Sequence, residues 1–286
     1  MMYRNIIALA LLCCVLLGCV GCTGTREEET KPTVITEEPT QKTEPVTEST
    51  EPAETTDATA DSSSLPAILE AIPVEDQLAL MLANRDSWMN DEEMYGTMYN
   101  LTVTDLDHNG RLELLFGSCM GSGLFTYVDM LEVSPDGSEL VRLDKSYAEE
   151  YSQADVICQE ATVYYDQEED TYYYIFTDVN RNGWMWSSTE HRALWLKDGV
   201  IRERTLGAYI LATDESYVTQ EHWYDAEGNE ISMEMYEDQP ALAYDNCQEL
   251  HAMMLWHNIG IEEVSNLTDE DVAMLLTQAA DSFLVD

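Results

Sequence analysis

Through the middle of this chain apolar residues recur mainly at every second position, and at both ends of the same region they recur at helical spacing. Period two puts alternate side chains on one face of a strand, whereas a period near 3.6 builds a helical stripe. By that rule residues 101–106, 111–119, 124–133, 140–143, 161–165, 171–178, 184–196 and 200–206 are predicted strands. Turn formers such as Pro135-Asp136-Gly137 and Asn182-Gly183 separate them. Strands that follow one another without a helix between them predict antiparallel hairpins.

Helices are predicted on either side. Leu65, Ile68, Leu69 and Ile72 make a first stripe, Pro73 interrupts it, and Leu78, Met81, Leu82 and Arg85 resume it as far as Trp88. Near the C-terminus Ala243, Cys247, Leu250, His251 and Met254 share a helical spacing, entered near Pro240 and stopped by Gly260. The last helix is marked most clearly. Thr268 and Asp271 form a capping box, Leu267 can staple onto Val272, and Val272, Leu275, Leu276, Ala279 and Phe283 line one face. The expected fold over residues 65–286 is therefore α+β, a central antiparallel sheet of several hairpins flanked by N-terminal and C-terminal helices.

The first 64 residues have no such pattern. After Arg4 an apolar run extends from Ile6 to Leu17, short of the roughly 20 residues a membrane-spanning helix needs and suited to a signal-peptide core. The segment Leu16-Leu17-Gly18-Cys19 resembles the bacterial lipobox, which implies that residues 1–22 are a lipoprotein signal and that Cys19 is lipidated. Cys22 is the second choice, and an ordinary secretory peptide or an uncleaved anchor is the alternative. Two acyl chains on one cysteine would hold the protein stably at a membrane. Residues 23–64 are Thr, Glu, Pro and Ser with Pro32, Pro39, Pro45 and Pro52, a composition that cannot form a core and is expected to be a disordered linker. At the chain dimensions typical of such linkers it reaches about 35 Å on average.

Charge narrows the partners. Thirteen Lys and Arg against 56 Asp and Glu leave a net charge of −43. That excludes nucleic acid as a partner and argues against direct contact with an anionic lipid surface. Cysteine adds little: Cys119, Cys158 and Cys247 are an odd set, compatible with one disulfide and one thiol or with three free thiols, and no C-x-x-C pair stands among them.

Candidate chemistry concentrates in Asp105-Leu106-Asp107-His108-Asn109-Gly110-Arg111-Leu112-Glu113. Calcium is a hard cation that takes six to eight oxygens, and a short loop supplies them when alternate side chains converge around a glycine turn. Asp105, Asp107 and Asn109 hold the first, third and fifth positions, Arg111 offers its backbone carbonyl and Glu113 holds the ninth. Phe116 stands where an EF-hand needs its bidentate glutamate, so a helix-loop-helix site is not expected. The pattern resembles the D-x-D-x-D-G-x-x-E/D loops of FG-GAP and VCBS-like surface repeats, and the D-x-D-x-D-G-x-x-E-L segment of lipoproteins in clostridia-like bacteria. His108 and Asn109 depart from the usual Gly and Asp. The resemblance implies calcium as the bound ion.

The competing assignment is a two-residue hairpin at Asn109-Gly110. Such a turn would pair Asp107 with Leu112 and Asp105 with Leu114, placing two carboxylates on the face of Val103, Leu112, Leu114 and Phe116. Unpaired charge buried there costs several kcal/mol, and a cation-filled loop removes the conflict.

Other stretches tempt a functional assignment. Asp178-Val179-Asn180-Arg181-Asn182-Gly183 repeats the oxygen spacing, but Trp186 takes the ninth position, so a hairpin turn is expected. Around it, Tyr172, Tyr174, Trp184 and Trp186 are candidates for an aromatic binding patch; cross-strand packing is the plainer explanation. Gly117-Ser118-Cys119-Met120-Gly121 matches a nucleophile elbow, yet the next residues are strand-like where the elbow needs a helix. The expected function is a lipid-anchored extracytoplasmic protein with a calcium-stabilised binding domain for a cell-wall glycan or surface protein. The alternative is an extracytoplasmic hydrolase without a local motif, for which Cys119 and His222 would have to share a cleft.

Overall fold

Antiparallel pairing of β1 (Met98–Thr104), β2 (Glu113–Met120) and β3 (Phe125–Val133), with β4 (Leu140–Arg142) on one side and β13 (His257–Gly260) on the other, forms a five-stranded sheet. This is a computed structural model, and it describes residues 71–89, 98–120, 125–146 and 155–286. The expected leader, the linker and the stripe begun by Leu65, Ile68 and Leu69 lie outside the described residues. A second, nine-stranded sheet runs β11 (Glu230–Ile231), β10 (Thr219–Asp225), β9 (Val200–Thr213), β8 (Trp186–Lys197), β7 (Thr171–Asn182), β6 (Glu160–Asp166), β12 (Gln248–Met253) and β14 (Leu284–Val285). Its ninth member, β5 (Asp144–Lys145), pairs with β9 in parallel, while the other pairings are antiparallel.

The helices are α1 (Val74–Ala83), α2 (Arg85–Trp88), α3 (Met233–Glu237), α4 (Gln239–Ala243), α5 (Ile261–Val264) and α6 (Asp269–Ser282). The fold is α+β, dominated by sheet, as the periodicity predicts. No helix among the described residues is long and apolar enough to cross a membrane.

Two cores explain the sequence pattern. On one face of the five-stranded sheet Leu101, Val103, Leu114 and Phe116 pack with Met81 and Trp88 from α1 and α2 and with Val272, Leu276 and Ala279 from α6. On its other face Leu115, Val128 and Met130 meet Val163, Tyr174, Phe176, Leu194 and Leu196 of the larger sheet. A sheet covered on both faces needs apolar residues at consecutive positions, which is why Leu114-Leu115-Phe116 breaks strict alternation. The α6 capping box is present as expected: the Thr268 hydroxyl accepts from the Asp271 N–H, and the Asp271 carboxylate accepts from the Thr268 N–H.

Two expectations are corrected. The helix read from Ala243, Cys247, Leu250, His251 and Met254 does not form beyond α4, because residues 248–253 are β12, paired on one side with β6 and on the other with β14. Leu250, Ala252 and Met254 fit period two equally well, and the edge of β6 offers a ladder of backbone partners that a helix could not use. The sheet is also not single, since the five-stranded and nine-stranded sheets share no strand pairing, and in the larger one β9 continues past residue 206 to Thr213 and β10 and β11 extend it further. Gly207 makes that continuation possible: a Cβ there would stand 3.0 Å from the Tyr224 carbonyl oxygen.

Candidate metal centre

The β1–β2 connection is the eight-residue loop 105–112, because Thr104 pairs with Glu113 and Val103 with Leu114. This register rules out the two-residue turn and takes Asp105 and Asp107 off the apolar face. Glu113 is the first residue of β2 and points, with Leu115, toward the larger sheet; it is 0% exposed.

Asp105, Asp107 and Glu113 each offer an oxygen, and these oxygens lie within 4.8 Å of one another. The triad can hold a metal ion. Among the described residues it is the one cluster of acidic, histidine or cysteine side chains with that geometry. Glu113 Oε2 accepts from the Leu106 N–H at 2.8 Å and from the Thr104 hydroxyl at 2.9 Å. Its Oε1 is buried and has no hydrogen-bond partner. A buried acceptor left unsatisfied costs about 1–3 kcal/mol, more when charged, so this oxygen marks a place where something is missing from the protein's own bonding.

The loop is preformed. Gly110 donates its N–H to Asp105 (3.2 and 3.4 Å to the two oxygens), and Asn109 donates its N–H and its side-chain amide to Asp107 at 3.3 and 3.0 Å. Gly110 sits at φ +80°, the region that favours glycine. His108, where the resembling loops have glycine, takes φ +56°, and its ring rests on Tyr172 at 4.0 Å between centroids. That stacking offsets part of the strain of a left-handed backbone.

Burial is the main cause that lifts the Asp105 and Asp107 carboxyls above their usual range; Glu132 adds to the rise, and the N–H groups of Gly110 and Asn109 oppose it. Burial likewise holds Glu113 well above the ordinary value, with Asp107 and Asp105 adding repulsion against the bonds from Leu106 and Thr104. Three carboxyl groups disfavoured in their charged form by one another and by desolvation form an electrostatic arrangement that a divalent cation relieves.

Of the five expected ligands, then, Asp105, Asp107 and Glu113 converge. Asn109 is in the loop, with its Oδ1 accepting from the Arg111 N–H at 2.7 Å and its amide nitrogen donating to Glu132 at 2.9 Å. The Arg111 guanidinium forms an ion pair with Glu132 at 2.6 Å. Three supporting residues were not visible in the sequence. Glu132 lies directly across from Glu113 on β3. Gln77 of α1 bridges the loop, donating to the Gly110 carbonyl at 2.9 Å and accepting from the Leu112 N–H at 2.7 Å. Tyr174, fully buried between the sheets, donates its hydroxyl to the Leu106 carbonyl at 3.1 Å. The one available signal was a polar residue set among apolar neighbours, as in Leu131-Glu132-Val133.

Comparison with known protein families, curated proteins and solved structures returned no match.

The proposed aromatic patch does not form as a unit. Tyr174 belongs to the inter-sheet core and Tyr172 packs on His108 and Tyr165, while Trp184 (58% exposed) and Trp186 lie at the β7–β8 hairpin, Trp184 stacked on Tyr217. The second oxygen-rich stretch is a hairpin: Asn182 pairs with Trp186, and Asp178 lies within β7 facing Arg192 at 3.4 Å. The elbow around Cys119 is likewise strand followed by strand, Cys119 pairing with Thr126 of β3. His222 stands on β10 in the other sheet, its Nδ1 2.9 Å from Glu230 Oε1.

Proposed function

We propose that this chain is a lipid-anchored extracytoplasmic protein whose 105–113 loop binds calcium and thereby stabilises a domain used for binding at the cell surface. The observation that carries the metal is Glu113 Oε1, buried, without a hydrogen-bond partner and beside Asp105 and Asp107. The donor set favours calcium. All three side chains are oxygen donors, which suits a hard cation, and a loop that also offers backbone carbonyls suits the six to eight ligands of calcium better than the strict octahedron of magnesium. The ion would clamp the loop against β2 and so brace the end of the β1–β2 pair, where the Leu106 carbonyl accepts from Tyr174 of the larger sheet. The anchor follows from the lipobox-like segment ending at Cys19 and is a separate part of the proposal.

Isothermal titration of the full chain tests the ion. Saturable calcium binding in the 10⁻⁴ to 10⁻³ M range, typical of extracellular modules, is expected, with magnesium competing poorly. Equal heats from both ions would reduce the effect to screening of an acidic surface. Mass spectrometry of the membrane fraction tests the anchor. Wild-type protein should carry lipid on Cys19, and Cys19→Ser should yield an unmodified product released from the membrane. Unchanged lipidation of that variant would place the anchor on Cys22.

A further inference from the structure

The outer face of the larger sheet carries a row of aromatic rings that the metal site does not use. Tyr164 of β6 pairs with Tyr173 of β7, Trp195 of β8 packs beside Tyr173, and Tyr244, at the end of α4, folds over them. Tyr244 stacks on Tyr173 at 4.6 Å and on Tyr164 at 5.3 Å, and Trp195 meets the edge of Tyr173 at 5.2 Å. Tyr173 and Trp195 stay half-exposed. They face a hollow of about 270 Å³ that also takes in Asp166, Arg204 and Asn246. It adjoins a second hollow of about 670 Å³ with which it shares Asp166, Asn246 and Cys247, and which adds Gln167, Glu168 and Gln248. Within this wall the Arg204 guanidinium lies over the Tyr244 ring, 5.1 Å from its centroid.

The lining discriminates among ligand classes. A small cation would be drawn to an aromatic cage, but Arg204 already occupies the face of Tyr244 and repels a second positive charge. An anion meets Asp166 and Asp245 in the wall and a chain of net charge −43. A purely apolar ligand would bury carboxylate and amide groups without partners, at a cost of about 1–3 kcal/mol for each. What remains is a neutral ring with one apolar face and several hydroxyls. Such a ligand lays its C–H face on Trp195 or Tyr173 and exchanges hydrogen bonds with Asp166 and Asn246.

We propose that the groove between Trp195, Tyr173 and Tyr244 binds a pyranose unit of a neutral glycan. The inference rests on the binding role proposed above and gives it a location distinct from the hairpin tip at Trp184 and Trp186.

Calorimetric titration of the full chain with cellotetraose and chitotetraose, with polygalacturonate as an anionic comparison, tests it. At least one neutral oligosaccharide should bind, and Trp195→Ala should weaken it by at least about tenfold, the loss expected when a central aromatic anchor is truncated. Trp195→Phe keeps a stacking ring and should retain binding within a few-fold. Asp166→Asn keeps the oxygen that accepts from the Glu168 and Glu169 N–H groups, so it should fold normally and still bind more weakly. Trp184→Ala should bind as wild type does. The groove is ruled out if neither neutral sugar gives heat, if Trp195→Ala binds unchanged, if Trp184→Ala alone loses binding, or if the polyanion is preferred. Cell-wall protein captured equally by wild type and Trp195→Ala, with no sugar bound, overturns it as well. Calcium heats measured on the same samples separate the two readings: calcium binding without sugar binding removes only the groove, and the reverse removes only the metal.

Discussion

Glu113→Gln will reverse the order of stability between variant and wild type as calcium is added. In EDTA at neutral pH the wild-type carboxyl group is fully buried beside Asp105 and Asp107, so it must either carry charge there or take up a proton from neutral solvent. The amide does neither. It still accepts from Leu106 and Thr104, and its nitrogen, placed where Oε1 stands, can donate to an aspartate. The variant should therefore be the more stable protein in EDTA, by at least about 1 kcal/mol on the scale of an unsatisfied buried group. With calcium the order changes. An ion that binds only the folded loop stabilises wild type by about 2.7 kcal/mol at a hundredfold excess over its dissociation constant, and the variant, one carboxylate short, loses most of that gain. For a domain of this size each kcal/mol moves the melting temperature by about 2–4 °C, so scanning calorimetry in EDTA and at about 5 mM calcium, chosen from the range for extracellular sites, resolves both signs. Melting temperatures that stay parallel in the two buffers would show that Glu113 does not contact an ion.

Gln77→Ala should cost about 2–4 kcal/mol of folding stability, through the bonds it breaks more than the volume it empties. Gln77 is buried on α1, and its Oε1 is the acceptor for the Leu112 N–H, while its Nε2 donates to the carbonyls of Gly110 and Ile72. Truncation leaves the Leu112 N–H unpaired next to the helix-side core. Gln77→Met has nearly the same length without the polar atoms, so it should lose about as much; a loss confined to alanine would assign the effect to packing instead. Because Gln77 holds the loop backbone on which Asp105 and Asp107 sit, calcium affinity should fall by about tenfold or more, as for other residues that orient ligands without touching the metal. Urea denaturation with and without calcium measures both effects. Stability within about 0.5 kcal/mol of wild type, the range of an ordinary surface change, would mean that α1 does not brace the loop.

What the sequence determined by itself is local. The oxygen spacing of Asp105, Asp107 and Glu113, the left-handed turn at Gly110, the Asn182-Gly183 hairpin and the Thr268 and Asp271 cap involve residues within a few positions of one another, so near-neighbour chemistry settles them. The α+β class is legible for the same reason, since side-chain period is a property of a single segment. Tertiary structure decided what depends on distant partners. Residues 248–253 satisfy helical and strand periods alike, and the free edge of β6 made them a strand. Tyr174 is indistinguishable from its neighbours in Tyr172-Tyr173-Tyr174 until a second sheet covers one face of β7 and buries it. Glu132 and Gln77 reach the 105–113 loop from positions 19 or more residues away along the chain, brought there by strand register and by the docking of α1. A sequence pattern records which side chains alternate; which surface covers each face, and which far residue meets a loop, is set only when the layers pack.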